Sequence, residues 1–327
     1  MFLVLQKAFV LWKNLNLINY LIIVNKMKLI KPSFEILEQG FSIDAIYKHI
    51  ELCGRTCYKS ADKITKDSAT PFVNRMIDNK HYAMLEHGTV YLKIPYDILH
   101  RMIHPGLCSK YINNPYTRCS KLQESIDSLG YFNQSLMTYL LVTTNLRVII
   151  ENGWEKDLEY ICKPHPNHIK RYTVKFISNI HFYKDLTRHR TMSYAIESTR
   201  FCNYSKNKFG GELTFIQPCW LNEEYVPGEY NRSEQFIMFT EMLENVESTY
   251  NFMINSGWQA QQAATLLPQA TKAEIIVTGF IEDWKHIFNL RAIGTTGKPH
   301  PQMLELMVPL MKEFIKRKYL NDYDESN

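Results

Sequence analysis

The chain has 327 residues, of which 45% are hydrophobic and 22% charged, and this composition excludes a disordered or fibrous protein. Its net charge of +5 is a mild, scattered excess, so we expect no nucleic acid as a partner. Seven cysteines without regular spacing favour reduced thiols and a cytoplasmic location. His49, Cys53 and Cys57 share one helix face, but no fourth ligand follows, so we expect no metal site.

The first 26 residues are apolar but are interrupted by Lys7, Lys13 and Lys26. No run approaches the ~18 apolar residues that would span a membrane, so we expect no membrane anchor. We interpret residues 1–26 as a disordered tail or a misassigned start upstream of Met27. Residues 321–327 are expected to form a second tail, which leaves 27–320 as a single domain.

Hydrophobic patterning and capping residues predict both strands and helices in this domain. The predicted strands contain alternating or β-branched residues and cover 28–39, 89–94, 172–177 and 213–216, the second and third of these being partners. The predicted helices cover 42–58, a segment after Ser68, a segment through Lys184, 233–255, 282–291 and 301–318. The fold class is therefore α+β, with a mixed or antiparallel sheet and packed helices.

The segment 188–200 carries three arginines, a histidine and four serine or threonine residues. Arginine offers a planar fork of donors that fits phosphate or carboxylate oxygens, and hydroxyl groups complete such a shell without repelling it. A solvated basic helix face is the alternative. The spacing of Arg-His-Arg, then Ser and then x-Arg is more specific than a charge count, and it favours an anion-binding site.

Three further segments accompany this motif in chain order. They are 81–90, which contains His87 and Thr89; Leu267-Pro268; and 288–291, which ends at Arg291 and is followed by His300. Together with 188–200 they resemble the flavin-dependent thymidylate synthase family over roughly residues 28 to 318. Relative to compact members of that family, about residues 95–171 form an insertion, which we interpret as packing or subunit contact rather than chemistry.

The resemblance implies a fold and a reaction. The fold is that of flavin-dependent thymidylate synthases, and the enzyme is an FAD- and NADPH-dependent methyltransferase that converts dUMP to dTMP. By resemblance, 5,10-methylenetetrahydrofolate is the one-carbon donor and co-substrate, and NADPH-reduced FAD supplies the hydride. A homotetramer with active sites shared between subunits is implied as well.

The resemblance also assigns roles to residues of this chain. Arg291 is the expected catalytic residue, because its fixed charge would stabilise the anion that develops on the uracil ring. The residues expected to bind dUMP are Asp185, Arg188, Glu197, Ser198, Thr199, Arg200 and Arg291. The residues expected to bind FAD are His87, Thr89, Arg188, His189, Arg190, Thr191, His286, Leu290 and His300.

Some positions depart from the family pattern. Ala195 and Ile196 replace polar residues, and Ala264 stands where relatives present an arginine to the nucleotide, with Lys272 as the expected substitute. Cys202 follows the motif closely, but no base accompanies it at a recognisable spacing, so we assign it no nucleophilic role. A catalytically impaired relative that binds a nucleotide or RNA is the alternative function, although the retained His87, Arg190 and Arg291 disfavour it.

Overall fold

The computed structural model describes residues 27–97, 102–126, 135–198, 203–204, 211–229 and 231–320. The predicted tails, and with them Thr199, Arg200 and Cys202, lie outside these residues. The described chain forms two compact units. The first unit contains 27–33, Ile177–Asp185 and Glu197–Ala273, and the second contains Phe34–Phe176, Leu186–Ile196 and the part of Glu274–Asn327 that is described. The single domain over 27–320 with its insertion stays a prediction.

The strands form three sheets, one parallel pair and two larger arrays. Their bounds are β1 Lys28–Ile30, β2 Ser33–Leu37, β3 Thr89–Pro95, β4 Arg118–Ile126, β5 Ser135–Asn145, β6 Arg171–Asn179, β7 Ser193–Ile196, β8 Thr214–Ile216 and β9 Lys272–Phe280. Strands β1 and β8 pair in parallel, a four-stranded sheet has the order β2-β6-β9-β7, and a three-stranded sheet has the order β3-β5-β4. The resolved registers in the two larger sheets are antiparallel.

The helices alternate with these strands along the chain. Their bounds are α1 Ile43–Cys57, α2 Ala69–Asp78, α3 Leu107–Ile112, α4 Leu146–Glu151, α5 Ile180–Leu186, α6 Glu234–Asn255, α7 Ala260–Ala263, α8 Ile281–Phe288 and α9 Pro301–Lys316. A serine cap begins α1 as predicted, because the side chain of Ser42 accepts a hydrogen bond from a backbone N–H group of the first turn, and Ser233 caps α6 in the same way. The predicted α+β class with mixed and antiparallel sheets is confirmed.

The predicted pairing of 89–94 with 172–177 is wrong. Strand β3 pairs instead with β5, with Thr89 opposite Asn145 and Pro95 opposite Tyr139, whereas β6 lies in the four-stranded sheet. Strand content marks both segments as extended, but it does not specify the partner, which is set by packing between distant residues. The predicted strand 28–39 is also divided in two around Pro32, which has no N–H for a ladder hydrogen bond.

Each unit has its own apolar core. In the second unit the core gathers side chains from α1, the segment before β3, and the β3-β5 ladder, namely Ile46, Ile50, Leu85, Val90, Leu92, Leu140 and Val142. In the first unit Leu213 and Phe215 pack with Leu243 and Tyr250 of α6. The apolar stripe predicted for 233–255 therefore faces a core, as its helical spacing indicates.

Gly279 of β9 is the position where the second unit has least room for a side chain. A Cβ atom built there would lie 2.1 Å from Met192 Sδ and 2.6 Å from Met192 Cε, which is closer than atoms can approach. We expect Gly279→Ala to lower the free energy of unfolding by about 1–3 kcal/mol, because Met192 must leave its site. Urea unfolding measures this. Gly153→Ala, whose Cβ would have no atom within 4 Å but whose φ is 68°, shows separately what backbone strain alone costs. Unchanged stability in Gly279→Ala would contradict the packing argument.

Candidate functional site

The Arg-His-Arg motif lies in the turn between Leu186 and β7. The hydroxyl of Tyr194 donates to two backbone carbonyl oxygens of this turn, Leu186 O at 2.7 Å and His189 O at 2.8 Å. Burial, with the charge of Asp283 as a lesser cause, raises the pKa of Tyr194, so its hydroxyl stays a donor at neutral pH. Tyr194 thereby fixes the backbone that carries His189, while the side chains of Arg188 and Arg190 are exposed.

Three of the predicted site residues come together at the end of α8. Arg291 Nε donates to His189 Nε2 over 3.2 Å, and the rings of His189 and His286 meet edge to face with centroids 5.7 Å apart. Because Nε2 accepts this hydrogen bond, the neutral ring of His189 carries its proton on Nδ1. Arg291 belongs to a π-helical turn, Asn289–Ile293, which ends at Gly294 with φ of 82°.

His87 is fully buried and joins a chain of hydrogen bonds through the second unit. Its Nδ1 lies 2.8 Å from Thr278 Oγ1, Thr278 lies 2.9 Å from Thr173 Oγ1, and Thr173 lies 3.2 Å from His49 Nε2. His87 Nε2 is buried without a hydrogen-bond partner in the described structure. Burial, followed by the charges of His49 and Arg171, lowers the pKa of His87 to about 3, and burial lowers that of His49 to about 4.

These two histidines predict a loss of stability in mild acid. In the unfolded chain a histidine has a pKa of about 6.5, so the unfolded state binds protons before the folded state as the pH falls. The stabilisation is complete above pH 6.5 and decreases towards pH 4, by roughly 2 kcal/mol for each histidine at pH 5. Urea unfolding at pH 7 and pH 5 measures it, and His49→Gln is expected to remove about a third of the difference, because burial also lowers the pKa of His168 to about 4. Equal stability of the wild type at the two values would contradict the prediction.

A cavity of about 400 Å³ lies beside the motif within the second unit. Four arginines line it, Arg118, Arg147, Arg171 and Arg190, together with the carboxylates of Glu86, Glu151 and Asp283. Arg147 contacts two of these carboxylates, donating to Glu86 Oε1 at 2.5 Å and to both oxygens of Glu151 at 2.8 and 3.0 Å. The aromatic rings of Tyr116 and Phe280 form part of the same wall.

Arg171 connects this cavity to Thr89, one of the residues predicted to bind FAD. Its Nη1 donates to Thr89 Oγ1 over 3.2 Å, and the backbone of Thr89 exchanges two hydrogen bonds of 2.8 Å with the Gln39 side chain. Arg171 is only 8% exposed, and burial lowers its pKa to about 10, so it remains charged at neutral pH. Thr89 is buried as well, and the arginine is the group that faces the cavity.

Glu197, predicted to bind dUMP, is buried in the first unit. Its carboxylate accepts hydrogen bonds from Tyr204 Oη at 3.0 Å and from Lys272 Nζ at 2.9 Å, and its side chain is 0% exposed. Lys272, expected to substitute for a phosphate-binding arginine at Ala264, therefore directs its ammonium group to Glu197. Ala264 itself is half-buried at the start of the 3₁₀ turn Ala264–Leu266.

The remaining predicted residues are spread over both units. Thr191 and His286 are exposed, Asp185, Ser198, Leu290 and His300 are half-buried, and Thr199 and Arg200 lie outside the described residues. His300 caps α9, its Nδ1 accepting from Gln302 N at 3.3 Å. Sequence reasoning missed Arg147 and Arg171, which stand in no recognisable motif and have distant partners. It also missed Tyr194, which lies inside the 188–200 segment and contacts backbone groups five and eight residues away.

Among the described residues, no three His, Cys, Asp or Glu side chains gather so as to hold a metal ion. None of the described helices combines the length and apolar character that crossing a bilayer requires.

Part of the chain matches a known protein family. Residues 166–316 match the family model described as thymidylate synthase complementing protein. A flavin-dependent thymidylate synthase of Pyrococcus furiosus is 31% identical over 132 residues, which are 40% of this chain and 49% of that protein. A flavin-dependent thymidylate synthase of Corynebacterium efficiens is 30% identical over 115 residues, which are 33% of this chain and 44% of that protein. The chain thus spans about half the length of the curated relatives it matches.

Residues 166–316 that match this family model are just under half of the chain, and the match, with the two curated relatives, confirms the resemblance to flavin-dependent thymidylate synthases. Among solved structures, a UMP/dUMP methylase, PolB, from Streptomyces cacaoi aligns with a TM-score of 0.41 and 14% identity, over 89% of this chain and 92% of that one. Thymidylate synthase X from Helicobacter pylori, with FAD and dUMP, aligns with a TM-score of 0.32 and 14% identity, over 43% of this chain and 66% of that one.

Proposed function

We propose that the chain is a flavin-dependent thymidylate synthase that converts dUMP to dTMP. The observation that carries the proposal is the cluster of His189, His286 and Arg291, in which the Arg-His-Arg motif meets the end of α8. These residues are far apart in sequence, and a solvated basic face would not require them to meet. The family match over 166–316 includes all three.

In this proposal Arg291 acts on the uracil ring. A guanidinium keeps its charge at neutral pH and presents several donors in one plane. Its Nε donates to His189, and its charge would stabilise the negative charge that develops at the N3 and carbonyl edge of the ring. The proposal assigns no role to a thiolate, and burial raises the pKa of Cys57 and of Cys119 to about 11, so these two thiols stay protonated at neutral pH.

The second unit has groups that suit FAD. The exposed Arg188 and Arg190 provide charge for a diphosphate, and His87 Nε2 is a buried polar atom with no hydrogen-bond partner in the described structure. When bound, reduced FAD supplies the hydride that completes the methyl group, with NADPH as the reductant and 5,10-methylenetetrahydrofolate as the one-carbon donor. A cytoplasmic homotetramer with shared sites is part of the same proposal.

The deciding experiment is an absorbance spectrum of the full chain after reconstitution with FAD. Bound flavin, followed by tritium release from C5-labelled dUMP when methylenetetrahydrofolate and NADPH are added, is the expected result. Absence of bound flavin would overturn the enzyme proposal. If dUMP binds with no flavin present or required, the nucleotide-binding alternative replaces it.

A further inference from the structure

The segment expected to serve only packing or subunit contact supplies one wall of the cavity in the second unit. Tyr116 and Arg118 come from the start of β4 and the turn before it, and Arg147 comes from α4. Arg190 in the motif turn and Phe280 at the end of β9 line the same cavity. The 95–171 segment therefore borders the same space as a residue predicted to bind FAD.

The charges in this cavity are unequally matched. Arg147 contacts both Glu86 and Glu151, so these three groups largely offset one another. Arg118, Arg171 and Arg190 have no carboxylate partner among the residues that the structure describes. Asp283 is the one remaining acid of the lining, and its Oδ2 is buried without a hydrogen-bond partner in the same part of the chain.

Arg171 is the most informative of these groups. Arg171 is 8% exposed, its Nε has no acceptor within the described structure, and its sole side-chain hydrogen bond there goes to the neutral Thr89 hydroxyl. The charges of Glu86 and Asp283 act on Arg171 without contacting it, and a buried cation that no anion contacts is stabilised when an anion approaches. Because Arg171 lines the cavity, an anion can approach its guanidinium from the cavity.

Arg118 lies near Arg171 in the lining of the cavity. Its guanidinium carbon lies 4.7 Å from the centre of the Phe280 ring, and that of Arg171 lies 5.4 Å from it. Arg118 Nη1 donates at 3.0 Å to the backbone oxygens of Pro115 and Thr117, which holds the side chain in place. Two fixed guanidinium groups that share one aromatic neighbour form a preorganised pair of donors for an anion.

We propose that this cavity binds an anionic group of a small-molecule ligand, phosphate or carboxylate, between Arg118 and Arg171. The inserted segment then has a binding role, because it supplies Arg118. Under the proposed function two ligands bring such a group, FAD with its diphosphate and the folate co-substrate with its glutamate carboxylates. The choice between these two sources rests on the proposed function, whereas the anion site does not.

The test is calorimetric titration of the full chain with two probes, inorganic pyrophosphate and glutarate. We expect at least one probe to bind saturably in the wild type. Arg118→Gln and Arg171→Gln should each weaken binding about tenfold or more, as expected for loss of a charged hydrogen bond. Arg317→Gln is the control, because Arg317 pairs with Glu313 and Glu38 away from the cavity and should bind as the wild type does.

The outcomes separate the alternatives. Preference for pyrophosphate supports the diphosphate source, and preference for glutarate supports the carboxylate source. The proposal is overturned if neither probe binds saturably, or if a folded Arg118→Gln variant binds as tightly as the wild type. If circular dichroism shows that Arg171→Gln is unfolded, the test uses Arg118→Gln alone. If the anion probes bind but FAD does not, the anion site is supported and only the proposed function is overturned.

Discussion

Replacing Arg291 with alanine is expected to lower turnover by about 100-fold to 1,000-fold while FAD stays bound. We expect a loss of turnover of this size because the variant lacks one preorganised donor, the guanidinium, that would stabilise the charge developing in the transition state. His189 loses the hydrogen bond from Arg291 Nε, but the backbone of its turn remains held by Tyr194. Tritium release from C5-labelled dUMP measures turnover, and flavin absorbance measures occupancy in parallel.

The control for Arg291 is Arg317→Ala, because this exposed arginine lies on the C-terminal side of the same unit. Its activity and flavin content should equal those of the wild type. Parallel loss of FAD and turnover in Arg291→Ala would show that the residue holds the cofactor instead. Arg291→Lys keeps the charge but loses the planar fork, so we expect it to recover only part of the rate.

Replacing Lys272 with alanine is expected to lower the free energy of unfolding by roughly 3–5 kcal/mol. The change leaves the carboxylate of Glu197 buried at 0% exposure without its ammonium partner, and an uncompensated buried charge is strongly destabilising. Urea unfolding of the full chain measures the loss. Lys175→Ala is the matched control, since its pair with Glu274 is partly exposed and should contribute less than about 1 kcal/mol.

A second variant separates structure from ligand binding at Lys272. Combining Lys272→Met with Glu197→Leu removes both charges, and we expect it to recover most of the lost stability. If dUMP affinity falls in Lys272→Ala while stability is unchanged, the lysine serves the nucleotide and the structural argument is wrong. The same titration tests Ala264→Arg, in which a new guanidinium should strengthen dUMP binding if this position borders the phosphate.

The parts of the site that sequence predicts are those carried by short, continuous segments. His189 lies in one turn, and His286 and Arg291 lie at the end of one helix, so linear spacing is enough to select them. Their meeting across 102 residues is consistent with the resemblance, although spacing alone would not place them together. The start of α1 was predicted for a similar reason, because Ser42 acts on a backbone group three residues away.

The parts that sequence misses depend on partners brought together by the sheets. Arg147 owes its place to Glu86, which is 61 residues away, and Arg171 owes its place to Thr89, which is 82 residues away. The pairing of β3 with β5 is of the same kind, because β-branched content predicts a strand without its neighbour. Long-range pairing therefore accounts for both the wrong strand partner and the overlooked cavity.

The π-helical turn at Asn289–Ile293 has a consequence for chain length. Gly294 N donates to Asn289 O at 2.9 Å, five residues back, so the turn holds one residue more than an α-helical turn would. Deleting a single residue such as Ala292 would return the segment to α-helical spacing and tighten the turn that follows Arg291. A helix end that looks suited to insertions and deletions is thus constrained in length by the packing of α9 against this turn.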